Sequence, residues 1–436
     1  MFTILLAATI AAPNPARYEK PGTVGQMVLP RPTDAPAIAS RPDPTLTPLA
    51  SLTGTEFAVT GELPGRVLLR NKGVDVWVSR AEVLTAKEAI EVYSQLIASQ
   101  PQVNHYVRRS KAHELAMDWD AAIKDYDEAI RLSPQISAYW NNRANYYSRK
   151  REYQKALDGY DEAVRLTPTS FIPLGNRGNV FLNTREWDKA LVAYDRALKA
   201  NGTYSRSFAG KATAYREKRQ FDLALKEAER AMELEPNSPH SLLARGLTLS
   251  AMKEHDKAMT DFEEALRFDP LLGAAFFGRA GVYLAREEYQ PAIRDLDTAM
   301  RLSPKYAAAM VRRAEAWKAC GNPLRALADL KEAIVADDRH PPAYRDLAWI
   351  LATHPDAAIR DGKTAVEMAK KAADLAKTPT PEYWEALAAA HAETGNFQNA
   401  VEWQKKALAD AGYVKEKGES VTKRLNLYES KKPLRD

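Results

Sequence analysis

Seven polar residues at helical spacing have the clearest capacity for binding chemistry in this sequence. They form two clusters 34 residues apart, and they are Asn141, Asn142, Asn145, Arg149, Asn176, Asn179 and Asn183. Residues three and four positions apart share one face of a helix, so each cluster predicts a polar stripe. Asparagine is less favourable than alanine in a helix by about 0.7 kcal/mol per residue, so two successive asparagine-rich helices call for a reason.

The amide group suits an extended peptide as ligand. Each asparagine side chain offers both a donor and an acceptor, which match the C=O and N–H groups of a peptide backbone. Further along the chain Leu243, Leu247 and Phe277 would accept the apolar side chains of the same ligand. A second interpretation is open, in which Asn141 and Asn142 satisfy neighbouring loops and the other asparagines are simply solvated.

Catalytic and metal-binding motifs are missing from the sequence. Its seven histidines are scattered, and none is paired with Asp, Glu or Cys at the spacing of metal ligands. The single cysteine, Cys320, excludes an internal disulfide framework. A glycine-rich phosphate loop and a nucleophile elbow are also missing. We therefore expect a binding protein without a cofactor; an enzyme with an unrecognised site is the alternative.

The charge balance bears on the kind of partner. Lys and Arg total 62 against 57 Asp and Glu, a net charge of +5 over 436 residues. Nucleic-acid-binding proteins concentrate basic residues on one face, and so small an excess does not predict that. We expect a protein or peptide ligand and no nucleic acid; a homo-oligomer is compatible with the sequence.

From residue 85 onward the sequence repeats every 34 residues. A chain of this length is too long to fold around one ordinary hydrophobic core, and a repeat array does not need a single core. Two positions of the repeat hold alanine and a third holds only small residues, which lets two crossing helices approach closely. These ladders are Ala122, Ala156, Ala190, Ala224, Ala258, Ala292 and Ala326; Ala129, Ala163, Ala197, Ala231, Ala265, Ala299 and Ala333; and Ser110, Ala144, Gly178, Ala212, Gly246, Ala280 and Ala314.

A basic ladder follows the same register. Its members are Arg109, Arg143, Arg177, Lys211, Arg245, Arg279 and Arg313, and an acid follows in every unit at Asp125, Asp161, Asp195, Glu227, Asp261, Asp295 and Asp329. We expect the two ladders to pair internally, because partly buried arginine is normally paired. For Arg177 the leading candidate partner is Asp195. The alternative is a basic stripe that binds an acidic partner.

The pattern of a bulky residue, a small residue, an aromatic, two alanines and a closing proline resembles the tetratricopeptide repeat. The resemblance, which extends to bacterial proteins of this type, covers seven units of equal length over residues 103–340. An eighth unit carries an insertion at 355–362 and a ninth is regular. It implies a mostly α protein, an α-solenoid of helical hairpins in a right-handed superhelix that acts as a protein-interaction scaffold.

The resemblance also implies where a ligand binds. First helices of the hairpins line the inner groove of such proteins, and groove asparagines in related proteins hold peptide backbones. Other members clamp carboxylates with basic groove residues. The corresponding positions here are Val107, Asn141, Gly175, Ala209, Leu243, Phe277 and Val311, so we do not expect a carboxylate clamp.

The region before the repeats has a different period. Short β-branched and aromatic runs at 57–60, 66–70 and 74–78 are separated by turn signals and predict strands. The segment that ends with Trp77 and Val78 resembles a bacterial Src-homology-three-like small β-barrel. Such domains often bind peptides or cell-wall material. This gives an alternative function, a cell-envelope protein whose β-domain recognises wall material while the repeats serve assembly.

The sequence predicts six segments. Residues 1–16 are a candidate signal peptide, 17–50 a proline-rich linker with a candidate first strand near 25–29, 51–85 the small β-barrel, 86–102 a capping helix, 103–410 the nine hairpins, and 411–436 a C-terminal capping helix and tail. The apolar run 2–12 is too short to span a bilayer and fits a secretory signal, although no Lys or Arg precedes Arg17. We expect export to the periplasm or cell envelope; a cytoplasmic location is the alternative.

Overall fold

The computed structural model describes the backbone of residues 27–30, 57–63, 66–71 and 74–79, and residues 83–376 and 378–436 with their side chains. It forms two compact units, Met1–Leu272 and Gly273–Asp436. The described part contains five strands and 21 helices. None of these helices is both long and apolar enough to cross a membrane. The candidate signal peptide lies outside the described residues.

Five short strands make one antiparallel sheet in the first unit. They are β1 Met27–Pro30, β2 Phe57–Leu63, β3 Arg66–Asn71, β4 Val74–Ser79 and β5 Val83–Leu84. The strand order is β4-β3-β2-β1-β5, so β1 has a neighbour on each side and is not an edge strand. The parts of 51–85 between the strands lie outside the described residues, and the small barrel stays a prediction.

Helix α1 and five helical hairpins complete the first unit. Their bounds are α1 Ala86–Ser99, α2 Val103–Leu115 with α3 Trp119–Leu132, α4 Ser137–Arg149 with α5 Tyr153–Leu166, α6 Phe171–Asn183 with α7 Trp187–Ala200, α8 Ser205–Glu217 with α9 Phe221–Leu234, and α10 Pro239–Ala251 with α11 His255–Phe268. Thr85 begins α1 with a capping box, because its hydroxyl accepts from the Glu88 N–H and the Glu88 carboxylate accepts from the Thr85 N–H.

The second unit contains four more hairpins and two short helices. Their bounds are α12 Gly273–Ala285 with α13 Tyr289–Leu302, α14 Ala307–Ala319 with α15 Pro323–Ala336, α16 Pro341–Thr353 with α17 Gly362–Leu375, α18 Pro381–Glu393 with α19 Phe397–Leu408, and then α20 Ala411–Lys417 and α21 Glu419–Glu429. The sequence predicts a single capping helix after the repeats. The structure has two, because Gly418 at φ 61° breaks the helical path between α20 and α21.

The small-residue ladders lie at the helix crossings, as predicted. Every alanine of the first two ladders is fully buried. A Cβ added to Gly178 would lie 2.5 Å from the ring of Tyr194, and one added to Gly210 would lie 2.3 Å from the same ring. No side chain larger than glycine fits beside that tyrosine without displacing it.

Most hairpin turns contain one residue in the left-handed region. These residues are Met117, Arg151, Arg185, Arg219, Lys253 and Glu287, then Gly321 and Gly395. The residue after each returns a backbone hydrogen bond to the first helix; for example, the Asp118 N–H donates to the His113 carbonyl at 2.9 Å. This is the Schellman ending, which glycine adopts without the strain that a side chain brings.

The basic ladder pairs internally, as predicted. Four arginines reach the acid sixteen residues later in their own hairpin, at 2.6 to 2.7 Å: Arg109 to Asp125, Arg245 to Asp261, Arg279 to Asp295 and Arg313 to Asp329. Lys211 contacts both Glu227, at 2.9 Å, and Asp195 of the preceding hairpin, at 3.0 Å.

The predicted partners of two arginines are wrong. Arg143 pairs with Asp127 at 2.6 Å and Arg177 with Asp161 at 2.8 Å, each in the preceding hairpin. The physical reason is that the position sixteen residues after these arginines holds Gly159 and Ala193, which carry no acid. Asp161 and Asp195 lie two positions further on, where they meet the basic residue of the following hairpin.

Candidate functional site

The two polar stripes of the sequence line one recess of about 620 Å³ in the first unit. We call it the polar recess. Six of the predicted residues line it: Asn142, Asn145, Arg149, Asn176, Asn179 and Asn183. They come from α4 and α6, the first helices of the second and third hairpins. Asn141 is not among the lining residues, because it is buried beneath them with only 7% of its surface exposed.

Tyrosines of the second helices orient the asparagine amides. The Tyr160 hydroxyl in α5 donates to Oδ1 of Asn145 at 2.8 Å, and the Tyr194 hydroxyl in α7 donates to Oδ1 of Asn179 at 2.6 Å. Both tyrosines are almost completely buried, so their hydroxyls are fixed points. With Oδ1 engaged, the Nδ2 groups of Asn145 and Asn179 form no hydrogen bond among the described side chains, and they are left as donors.

A second set of hydrogen bonds joins the two stripes. Asn176 donates through Nδ2 to Oδ1 of Asn141 at 2.9 Å and to Oδ1 of Asn145 at 3.1 Å, which leaves its own Oδ1 as an acceptor. Asn141 donates to Asn142 at 3.0 Å, and Asn142 donates to the Tyr126 hydroxyl at 3.0 Å. Asn141 and Asn142 therefore bond to side chains rather than to neighbouring loops.

The charges around the polar recess are mainly basic. Lys111, Arg149 and Arg151 line it, together with a single acid, Glu114. Glu114 is compensated, since Lys111 lies 2.9 Å from it and the Tyr146 hydroxyl donates to it at 3.1 Å. Burial raises the pKa of Tyr146 and of Tyr160, which stay protonated donors. The recess consequently favours ligand groups that accept hydrogen bonds or carry negative charge.

A second recess of about 440 Å³ continues from the first. Arg149, Asn176 and Asn179 line both, so the two recesses share a wall. Leu243 and Leu247 of α10 line the second recess, where they provide the predicted apolar surface. The Ser207 side chain, 0% exposed, lines it too, and its hydroxyl has no hydrogen-bond partner among the described residues.

Phe277 is not among the residues that line either recess. Phe277 belongs to the second unit, where its ring lies 4.9 Å from that of Tyr306 and under the guanidinium of Arg312, 4.1 Å away. Arg312 also donates to the Phe277 carbonyl at 3.3 Å. The Phe277 ring is thus partly covered by Tyr306 and Arg312, and a ligand can reach less of its surface than the sequence predicts.

Sequence reasoning missed the tyrosine hydroxyls. Tyr126, Tyr160 and Tyr194 occupy equivalent positions of the repeat, and an aromatic side chain at this spacing predicts core packing alone. Their rings are in the core, but Tyr126 and Tyr160 also line the polar recess and Tyr194 lines the second recess. One signal was available: the equivalent position two repeats after Tyr194 holds Phe262, so a hydroxyl is kept only beside the asparagine-rich helices.

Among the described residues, no cluster of three or more His, Cys, Asp or Glu is placed to hold a metal ion.

Comparison with known proteins identifies the repeats. Family models described as tetratricopeptide repeat match residues 112–171 and 209–272 in the first unit and residues 381–409 in the second. No curated protein sequence matches the chain. The chain therefore contains tetratricopeptide repeats, as its 34-residue pattern predicts.

Several solved structures resemble the chain. YrrB, a tetratricopeptide protein with an unusual peptide-binding site, is 26% identical, with a TM-score of 0.28, over 42% of this chain and 95% of its own. A tetratricopeptide repeat protein from Parabacteroides merdae is 17% identical, with a TM-score of 0.37, over 68% and 99%. Yeast Tom70 is 14% identical, with a TM-score of 0.44, over 79% and 92%.

Proposed function

We propose that the first unit is a protein-interaction module that binds an extended peptide segment of a partner protein across the two recesses. The observation that carries this proposal is the shared wall, in which Arg149, Asn176 and Asn179 border a polar recess on one side and a partly apolar one on the other. A continuous surface of this kind can hold a peptide backbone and its side chains together.

The hydrogen bonds within the recess indicate which groups remain available to bind each part of the peptide. The free Nδ2 groups of Asn145 and Asn179 donate to peptide carbonyls, and Oδ1 of Asn176 accepts from a peptide N–H. Leu243 and Leu247 receive apolar side chains in the second recess. Arg149 favours an acidic segment over a basic one. The protein acts by reversible binding, without catalysis and without a cofactor.

An isosteric substitution tests this function. Asn145→Asp together with Asn179→Asp retains the Oδ1 acceptors for Tyr160 and Tyr194 but replaces both Nδ2 donors by carboxylate oxygens. Peptides are first selected on the immobilised full chain from a phage-displayed random library. Their affinity for the double variant should fall at least ten-fold, since the lost donors are replaced by repulsive negative charge.

The matched control is Asn399→Asp with Asn426→Asp, which adds the same two charges in helices α19 and α21 of the second unit. This variant should bind the selected peptides as the unmodified chain does. Equal affinity of both double variants for the peptides would refute the polar recess as the site. Failure to select any peptide whose binding is weakened by Arg149→Ala would refute the function itself.

The β-domain and the location are further parts of the proposal. We infer that strands β1–β5 belong to an Src-homology-three-like small barrel and provide a second contact surface. We also infer that the apolar run 2–12 directs export, which places the interaction in the periplasm or cell envelope. Cell fractionation with N-terminal sequencing of the mature chain tests the location, and a cytoplasmic chain that keeps residues 2–12 would overturn it.

A further inference from the structure

The end of the chain folds back over the second unit. Residues 432–436, which we call the tail segment, follow α21 and belong to no helix. They pass the last turns of α14, α16 and α18, which are first helices of their hairpins. First helices also carry the recesses of the first unit, so the tail segment lies on the same class of surface that the proposed peptide would use there.

Asp436 is held by backbone and side chain at once. Its backbone N–H donates to the Thr353 carbonyl at 2.9 Å. Its carboxylate accepts from Trp349 Nε1 at 2.8 Å and from Lys318 Nζ at 2.9 Å, both through Oδ2. Burial opposes the charged carboxylate, but the hydrogen bonds from Lys318 and Trp349 prevail and the pKa of Asp436 lies below its usual value.

Two further residues fix the direction of the tail segment. Leu434 packs on a small apolar cluster that contains Ala388, Ala392 and Tyr428. Arg435 is anchored as well, because its guanidinium lies 2.7 Å from the carboxylate of Glu393, the last residue of α18. Leu434, Arg435 and Asp436 therefore provide an apolar, a basic and an acidic anchor in succession, as in a peptide bound on a surface.

We propose that the last turns of α14, α16 and α18 form a second peptide site that recognises a leucine followed two residues later by an aspartate. The tail segment occupies this site and competes with a partner's segment of the same chemistry. The site uses other helices than the polar recess and does not rest on the function proposed for the first unit.

The strength of the tail contacts is suited to competition. Lys318 and Asp436 are 44% and 43% exposed, so their ion pair is weak and sensitive to salt. Occupancy comes instead from the covalent connection to α21, which keeps the tail segment at high effective concentration. A partner's segment gains access when the tail anchors are lost or when it binds more tightly than they do.

The test uses a fluorescein-labelled synthetic peptide of residues 430–436 and its fluorescence anisotropy with the full chain. The chain with Leu434→Ser and Asp436→Asn releases its own tail and should bind the probe at least ten-fold more tightly than the unmodified chain. Lys318→Ala in this released chain should weaken probe binding about five-fold. Lys331→Ala, an exposed lysine on α15, is the matched control and should leave the affinity unchanged.

Four outcomes would overturn the proposal. They are equal affinity of the released and unmodified chains, no saturable binding to the released chain, an unchanged affinity after Lys318→Ala, and a tail-dependent dimer in light scattering, which would place the tail on a second copy. Should the double variant unfold, Asp436→Asn alone keeps the Leu434 packing and must still raise probe affinity. Asn145→Asp with Asn179→Asp should not affect this probe.

Discussion

The buried hydroxyl of Tyr194 donates a hydrogen bond to Oδ1 of the exposed Asn179 at 2.6 Å. One repeat earlier, Tyr160 and Asn145 make the same contact at 2.8 Å. The tyrosine ring packs between helices while its hydroxyl decides which end of a surface amide faces the ligand. In these two hairpins the residue that stabilises the core is also the residue that sets the chemistry of the recess.

Removal of that hydroxyl should weaken binding more than it weakens the fold. Tyr194→Phe leaves the ring in place, and Phe262 shows that the equivalent position accepts phenylalanine. We expect the free energy of unfolding to fall by about 1 kcal/mol, the contribution of one hydrogen bond. Affinity for selected peptides should fall several-fold, because the Asn179 amide is then free to turn. Urea denaturation and peptide anisotropy measure the two effects; unchanged affinity would contradict the orienting role.

The same tyrosine should make stability depend on alkaline pH. Burial raises the pKa of Tyr194 above its ordinary value of 10.0. Above pH 10 the unfolded chain therefore releases the phenolic proton first, and stability that is fully present below pH 10 is lost as pH rises. In this range each such tyrosine lowers the free energy of unfolding by about 1.4 kcal/mol per pH unit. Urea denaturation from pH 8 to 11 should show a shallower loss for Tyr194→Phe than for the unmodified chain, and an identical slope would count against it.

The partner of Arg177 can be established by a double-mutant cycle. Arg177→Met with Asp161→Asn should show coupling of about 0.5 kcal/mol, the size typical of a pair whose acid is half exposed. Arg177→Met with Asp195→Asn should show coupling near zero, because Asp195 pairs with Lys211. The free energy of unfolding of each single and double variant supplies both values. A larger coupling to Asp195 than to Asp161 would reverse the assignment.

The hairpin turns offer a pair of opposite substitutions. Gly321→Ala should lower the free energy of unfolding by about 1 kcal/mol, because φ is +70° there while the space for a Cβ is empty. Arg219→Gly, at φ 58° and exposed, should remove comparable strain and leave stability equal or higher. Thermal unfolding of both variants checks the signs. Destabilisation by Arg219→Gly as large as that by Gly321→Ala would mean that the Arg219 side chain makes a contact of its own.

Helix positions and core residues were accessible from the sequence because both follow one 34-residue period. The alanines at 190 and 258, for instance, are identified by register alone, and both are fully buried. The sequence shows that Ala193 carries no acid, but Asp161 as the partner of Arg177 was not accessible, because the choice between Asp161 and Asp195 depends on the distance to the preceding hairpin. The tail contact of Asp436 with Trp349 was not accessible either, because no periodic signal joins residues 87 positions apart.

Ion pairs that reach back to the preceding hairpin have a consequence for how the array opens. Arg143, Arg177 and Lys211 each connect a first helix to the second helix of the hairpin before it. Detachment of one of these hairpins from its predecessor must break that link together with the packed interface. The first four hairpins should consequently fray as one cooperative block, with uniform protection of their amides, whereas an array held by packing alone would loosen hairpin by hairpin from its ends.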